Sequence, residues 1–272
     1  MPFHAEVLAD SIAPCGKRLT TFEITYPRMV HSELMTHRQL SRNSASSRAI
    51  PTKKMLAAVI RNPAMPVRWG RNQSGMQAHH DLTGTDRKIA IRLWLTARWF
   101  AVCFAWLMHK LGVHKQIVNR LLEPWMWITV IVSATEWMNF FALRDHPDAQ
   151  PEIARIAHLM REAYNASQPD VLNAGEWHTP MVDADEASWL RERNLDPRAV
   201  SVGRCARVSY LTHHGTRDPY EDVKLHNKLK SSNPGHWSPF EHVAQALSTP
   251  IHSGNYVGFA QYRKEFPNEC IS

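Results

Sequence analysis

The sequence predicts a single domain of α+β (mixed α/β) class, and three stretches carry that reading. "TTFEITY" puts Phe22, Ile24 and Tyr26 at alternate positions, the period of a half-buried strand. "WMWITVIV", residues 125–132, is a continuous β-branched and aromatic run, as in a strand buried on both faces. "DAQPEIARIAHLMREAYN" repeats Ile153, Ile156, Leu159 and Met160 at helical spacing, with Pro151 near the first turn.

The remaining elements follow in chain order. After Pro27, "RMVHSELMTHRQL" reads as a helix with Met29, Val30, Leu34 and Met35 on its apolar side. The polar stretch "MTHRQLSRNSASSRAIP", residues 35–51, then runs from that helix end into a loop. Residues 52–80 are irregular, with "RNPAMPVRWGRNQSG" full of turn formers. A long helix spans residues 86–111 and carries Trp94, Trp99 and Trp106. Its apolar run "WFAVCFAWLM" is too short to cross a bilayer and reads as a buried core helix.

"GVHKQIVNRLLEP" predicts a short helix over residues 114–122, closed near Pro124, and Ser133 is placed to N-cap a helix running to Arg144. Residues 167–197 form a polar, proline-containing connection. "RCARVSY" reads as a strand, followed by a turn-rich loop, a helix over residues 220–230, and a second polar loop leading into a helix. "GNYVGFAQYRKEF" closes the chain as a strand. The domain divides into residues 1–165, a connection over 166–199, and residues 200–272, with no internal repeat.

Composition narrows the function classes. The 272 residues are 44% hydrophobic and 21% charged, which suits a globular core and not a disordered chain. The formal net charge of +7 predicts an anionic partner, either polymer or small molecule. Four scattered cysteines, Cys15, Cys103, Cys205 and Cys270, fit reduced thiols and a cytoplasmic location. The N-terminus lacks a signal-peptide profile, and no membrane partner is expected.

Three arginines stand where elements end or inside apolar helices: Arg48, Arg120 and Arg144. A guanidinium offers a fork of donors suited to phosphate, though pairing with Glu123, Asp145 or Asp148 is the competing reading. Ser46 is a nucleophile or a hydrogen-bonding group, but neither a Gly-x-Ser-x-Gly elbow nor a triad spacing surrounds it. His37, His236 and His242 lack metal-ligand spacing, so no metal is expected. Neither common glycine-rich nucleotide loop is present, so any cofactor must be held another way.

Five blocks resemble a known family. "THRQLSRNSASSR" is similar to the signature Arg-His-Arg-x-x-Ser-x-Asn-Glu-x-Ser-x-Arg of the flavin-dependent thymidylate synthases. "GVHKQIVNRLLEP", "TEWMNFFALRDHPDAQPEI", "CARVSY" and "GHWSPFEH" resemble that family's other blocks, and "TFEITYPRMVHSELM" resembles the lead into the signature. The last two blocks usually precede the signature; here they follow it, at residues 206–210 and 238–242, as in a circular permutation.

The resemblance implies reductive methylation of dUMP to dTMP through FAD, with methylenetetrahydrofolate and NADPH as co-substrates, in a homotetramer. It implies flavin contacts from His37, Arg38, Asn43 and Asn139, with Ser209 and His236 near the cofactor. Ser46, Arg48, Arg120 and Arg144 would hold the nucleotide. Within that set Ser46 and Arg144 serve the reaction, Ser46 by hydrogen bonding and Arg144 by stabilising charge on the pyrimidine carbonyl.

Four positions depart from the pattern: Thr36 for the first Arg, Ser44 for the Glu, Ser133 for an Asn and Glu33 for a Gln. These changes open a second reading, a flavin- and folate-dependent pyrimidine nucleotide hydroxymethylase acting on dUMP or dCMP. A third, non-catalytic nucleotide or nucleic-acid binder rests on the basic charge, though nucleic acid is the less favoured partner.

Overall fold

The computed structural model describes residues 3–215 and 218–270. In chain order the elements are β1 (His4–Ile12), β2 (Arg18–Pro27), α1 (His31–Met35), β3 (Ser41–Ser44), α2 (Thr52–Arg61), α3 (Gly84–Lys110) and α4 (Lys115–Val118). Then come β4 (Trp127–Ala134), α5 (Met138–Arg144), α6 (Pro151–Ala166), β5 (Asp170–Val171), β6 (Trp177–His178), α7 (Ala184–Glu192), α8 (Pro197–Arg207) and α9 (Pro219–Ser231). The chain ends with β7 (Ala244–Ala246), β8 (His252–Ser253), β9 (Tyr256–Val257) and β10 (Phe259–Gln261). The α+β class expected from the sequence is the class observed.

A five-stranded sheet in the order β3-β4-β2-β1-β5 organises the molecule. The long strands β1, β2 and β4 pair antiparallel, β3 pairs antiparallel with β4, and β5 runs parallel to β1. The alternation of β2 divides the sheet into two unlike faces. Phe22, Ile24 and Tyr26 enter the main apolar core with Val30, Leu34, Ile153, Ile156, Met160 and Phe141. Phe22 meets the edge of Trp137 with ring centroids 5.0 Å apart.

The opposite face is buried as well, but polar. Thr21, Glu23 and Thr25 stand beside Ser133, Ile131 and Thr129 of β4. The C-terminal part covers this face: Ile131 packs with Cys205 and Val208. A hydrogen-bonded chain crosses the seam from Ser11 to His178 (2.8 Å), Thr21 (2.8 Å), Ser133 (2.6 Å) and His242 (2.8 Å). Burial pushes both imidazoles down to about 3, so each is neutral at ordinary pH.

Several sequence expectations are corrected. Ser133 does not cap a helix: it lies inside β4, and its hydroxyl joins Thr21 and His242. The stretch after Pro27 is a single 3-10 turn and a five-residue helix, and Met35 is exposed. Residues 52–61 are helical, because Met55, Leu56 and Val59 recur on one face and bury there. The 166–199 connection contains β5, β6 and α7, and α7 starts at the N-cap Asp183, whose carboxylate accepts from Glu186 N–H.

"CARVSY" is helical, not a strand. Asp196 caps α8, Pro197 occupies its first turn, and Gly203 lets α9 approach so closely that a Cβ would collide with the Asp222 carbonyl. Arg204, fully buried, binds Glu186 at 2.6 Å and Asp222 at 3.2 Å, and so joins α7, α8 and α9. After α9 the second loop leads to a 3-10 turn and β7, not a full helix, and the terminal segment breaks into short strands.

The largest correction concerns α3. Only Arg98, Val102 and Ala105 are buried along its length, while Leu93, Trp99, Phe100, Phe104, Trp106 and Leu107 are exposed. By length and composition α3 also meets the requirement for crossing a bilayer, contrary to the shorter run considered from sequence. The apolar composition was legible; which face would be covered was not. Among the described residues Cys15, Cys103 and Cys205 are free thiols.

Candidate functional site

The polar stretch 35–51 forms neither one helix end nor one loop: it folds into a turn, the strand β3 and a second turn. Period two then sends its residues to different sides of the sheet edge. Ser41 and Asn43 face the C-terminal part: Ser41 hydroxyl donates to Asn255 at 3.2 Å, and Asn43 amide donates to the Cys205 carbonyl at 2.7 Å. Arg42 points the other way, and its Nη1 donates to the carbonyls of Met35 (3.2 Å) and His37 (2.8 Å). A guanidinium on the Met35 carbonyl at the helix end and on the His37 carbonyl beyond it fixes the turn that carries Thr36, His37 and Arg38.

That turn meets the end of α5. Arg144 Nε donates to His37 Nε2 at 2.8 Å, Nη2 donates to Thr36 hydroxyl at 3.3 Å, and Nη1 lies 3.8 Å from Glu33 carboxylate. Because Nε2 of His37 accepts, the ring is the neutral tautomer protonated at Nδ1. Burial lowers the pKa of His37, and the cations Arg144 and Arg42 lower it further. The ring packs edge-on to Phe140, with centroids 5.0 Å apart. Burial also raises the Glu33 carboxyl, against the opposing pull of Arg144.

Arg144 stands between two clefts. One, of about 410 Å³, is lined by His37, Arg38, Asn139 and Arg144, with Leu40, Phe140 and Leu143 as its apolar surface. Arg38 and Asn139 are exposed there, and among the described residues neither side chain has a partner. The other cleft, of about 800 Å³, places Glu33, Gln77, Gln150 and Glu152 around Arg144, with Arg68 already paired to Asp81 at 3.0 Å. An imidazole, a guanidinium and an amide beside a phenyl ring and two leucines fit a cofactor that is both aromatic and anionic.

The other expected residues gather elsewhere. Ser46 N–H donates to the Ser209 carbonyl at 3.1 Å, which ties the signature turn to the 3-10 turn after α8. Ser46 hydroxyl accepts from Arg48 N–H at 3.3 Å, a serine turn, and among the described residues no basic side chain is hydrogen-bonded to it. Arg48 is exposed. Arg120 Nη1 donates to Glu123 Oε1 at 2.7 Å, and the same oxygen lies 3.0 Å from Arg28 Nε and accepts from Ser47 hydroxyl at 3.4 Å. Asn119 amide holds the turn from below through the carbonyls of Ser47 (2.7 Å) and Ile50 (3.0 Å).

Four expected residues, His37, Arg38, Asn139 and Arg144, therefore share one cleft. Ser46 and Arg48 share a separate turn held to Ser209, lining neither cleft, with Arg120 committed to Glu123. Asn43 is buried and engaged with backbone, and His236 is exposed on the loop after α9, lining neither cleft. Sequence reasoning missed Arg42 and Thr36 as supports of this geometry; an arginine a few residues past a helix end was the available signal for the first.

A family model described as thymidylate synthase complementing protein matches residues 18–170, more than half of the chain. The chain belongs to that family. No curated protein matches. Among solved structures, crystal structures of PolB, a UMP/dUMP methylase from Streptomyces cacaoi, are similar to this chain. The form bound with 5-Br dUMP shares 16% identity at a TM-score of 0.48, covering 60% of this chain and 89% of that one. The form bound with 5-Br UMP shares 17% identity at a TM-score of 0.47, covering 60% and 88%.

Proposed function

We propose that this member of the thymidylate synthase complementing family converts dUMP to dTMP by reductive methylation, with methylenetetrahydrofolate as carbon donor and NADPH as electron donor. Bound FAD would supply the relay of electrons to the nucleotide. His37, Arg38 and Asn139 would hold it, since they present unpaired or neutral donors at one cleft beside apolar surface. The observation that carries the reading is the contact between Arg144 and His37: it joins the signature turn to the end of α5 at the wall shared by both clefts.

The hydrogen-bond partners of Arg144, an imidazole and a hydroxyl, are neutral, and its carboxylate neighbour, Glu33, stands 3.8 Å from Nη1, which leaves the guanidinium only loosely matched. A guanidinium in that state stabilises negative charge that develops on a pyrimidine carbonyl. His37 holds it in place and takes no proton while its Nε2 accepts. Ser46 acts through hydrogen bonding, as its turn geometry supports, and no protein nucleophile is required. Arg48 and Arg120 are the phosphate-side residues of this reading.

The circular permutation belongs to the same proposal. The blocks at 206–210 and 238–242 contact the signature and β4 through Ser46–Ser209 and Ser133–His242, which supports one assembled site despite the altered order. A homotetramer completes the reading, supported by the exposed aromatic face of α3, and a cytoplasmic location goes with it, supported by the free thiols of Cys15, Cys103 and Cys205. The test is a flavin absorbance spectrum of the purified protein, then product mass from dUMP with methylenetetrahydrofolate and NADPH. The mass of dTMP is expected. A hydroxymethylated nucleotide would move the assignment to the hydroxymethylase, and a colourless protein without turnover would overturn both.

A further inference from the structure

Away from both clefts, the adjacent histidines His213 and His214 converge on Glu23, on the polar face of β2. His213 Nε2 lies 2.8 Å from one carboxylate oxygen and His214 Nε2 lies 3.0 Å from the other. The three donor atoms all fall within 4.8 Å of one another. We propose that Glu23, His213 and His214 form a binding site for a divalent transition-metal ion of the zinc class, which ties the segment after Tyr210 to the central sheet.

The burial pattern favours an ion over a simple ion pair. Glu23 is 4% exposed and His213 is 5% exposed. Yet Glu23 Oε2 and His213 Nε2 lie 2.8 Å apart with no hydrogen bond between them, and His213 Nδ1 has no hydrogen-bond partner either. Buried polar groups in contact but without a hydrogen bond are a costly arrangement, and a cation held by both would satisfy them. The surrounding polar groups offer no relief. Thr21 is engaged with Ser133 and His178, and Thr25 with Thr129.

The donor set is specific in kind. One carboxylate and two imidazoles suit a borderline divalent ion, and neither calcium nor magnesium selects imidazole. Three protein ligands leave a fourth position for water, on the side where the His214 side chain is 62% exposed. Glu6, directly opposite Glu23 on β1, puts a second carboxylate on the same face; its oxygen is 3.3 Å from His4. Sequence spacing pointed away from metal because it weighed His37, His236 and His242, not this adjacent pair.

The ion would have a structural consequence near the nucleotide side. Leu211 adopts the left-handed conformation (φ 54°), reversing the chain between Ser209 and the two histidines. Ser209 carbonyl holds Ser46 N–H. Anchoring His213 and His214 to β2 therefore anchors the turn carrying Ser46 and Arg48.

The test uses the untagged full chain, stripped with chelator and titrated with Zn²⁺ by calorimetry, with Co²⁺ as a spectroscopic probe. One Zn²⁺ per chain, a raised melting temperature and visible Co²⁺ absorption of a low-coordinate site are expected. Glu23→Gln and His214→Ala should each weaken Zn²⁺ binding at least tenfold and remove the Co²⁺ absorption. His214 is largely exposed, so His214→Ala keeps the fold and remains informative where Glu23→Gln fails to fold. Zn²⁺ binding of equal strength in His214→Ala, or none in the wild-type chain, overturns the proposal.

Discussion

Arg144 and Arg120 both follow apolar helical segments, yet the structure leaves them in opposite electrostatic states. Arg144 donates to a neutral imidazole and a hydroxyl, with its nearest carboxylate, Glu33, 3.8 Å away. Arg120 donates at 2.7 Å to Glu123, an acid that also serves Arg28. What an arginine offers a ligand is thus decided by its partners' charge and not by its own exposure. Arg120 is the more exposed of the two, at 53% against 24% for the side chain, but its charge is the one already matched.

The strongest way to break this comparison is to remove Arg144. Arg144→Ala is expected to lower dTMP formation by about 10²–10³-fold, the usual cost of losing one charge-stabilising donor. Flavin absorbance should persist, since His37, Arg38 and Asn139 are untouched. Turnover within a few-fold of wild type would remove Arg144 from the reaction. Arg144→Lys should recover little, because an ammonium cannot reach His37, Thr36 and a ligand with one planar fork.

A second test concerns the neutral partner. The His37 pKa is lowered by burial and by Arg144 and Arg42. Protonation would remove the acceptor of Arg144 Nε and set a second cation beside it. The sign follows: activity holds at and above the ordinary histidine range and falls as pH drops, with a midpoint below about 6.5. His37→Gln, which can still accept, should flatten that acid limb in a profile of kcat/KM against pH. An unchanged limb would assign it to another group.

These two arginines also mark how much was legible in the sequence. The strands β2 and β4 and the helix α6 followed from local pattern, because alternation, a β-branched run and a proline-led amphipathic repeat each specify an element. β3 was illegible: "SRNS" is polar, and it becomes a strand through its ladder with β4 and through bonds to Asn255 and Cys205 far along the chain. The end of α8 and the 3-10 turn after it were misread because Val-Ser-Tyr looks extended, while Gly203 and the Arg204 carboxylate pairs that favour a helix packed on α9 depend on tertiary neighbours. The resemblance singled out His37, Arg38, Asn139 and Arg144 but set Arg144 with the nucleotide residues; that all four line one cleft depends on the tertiary packing of the signature turn against α5. The commitment of Arg120 to Glu123 was the alternative that i,i+3 spacing had already allowed.

The smallest effects sharpen the comparison most, because they separate a phosphate-binding Arg120 from a structural one. If Arg120 contacts the nucleotide phosphate, Arg120→Ala should raise the KM for dUMP by about tenfold, the order of one charge-assisted hydrogen bond of about 1.5 kcal/mol. Glu123→Gln should act in the opposite direction on KM. It keeps the side chain's shape and an acceptor for Ser47, but it removes the charge that now competes with a phosphate for the Arg120 guanidinium. The same change leaves Arg28, whose side chain is 15% exposed, without its counter-charge, so stability should fall by about 1–2 kcal/mol in urea unfolding. A Glu123→Gln protein that is less stable yet binds dUMP a few-fold more tightly at low salt would show that Glu123 holds Arg120 in reserve. If KM is unmoved by both substitutions while stability falls in both, Arg120 serves the turn at Ser47 alone, and the phosphate side of the site rests on Arg48.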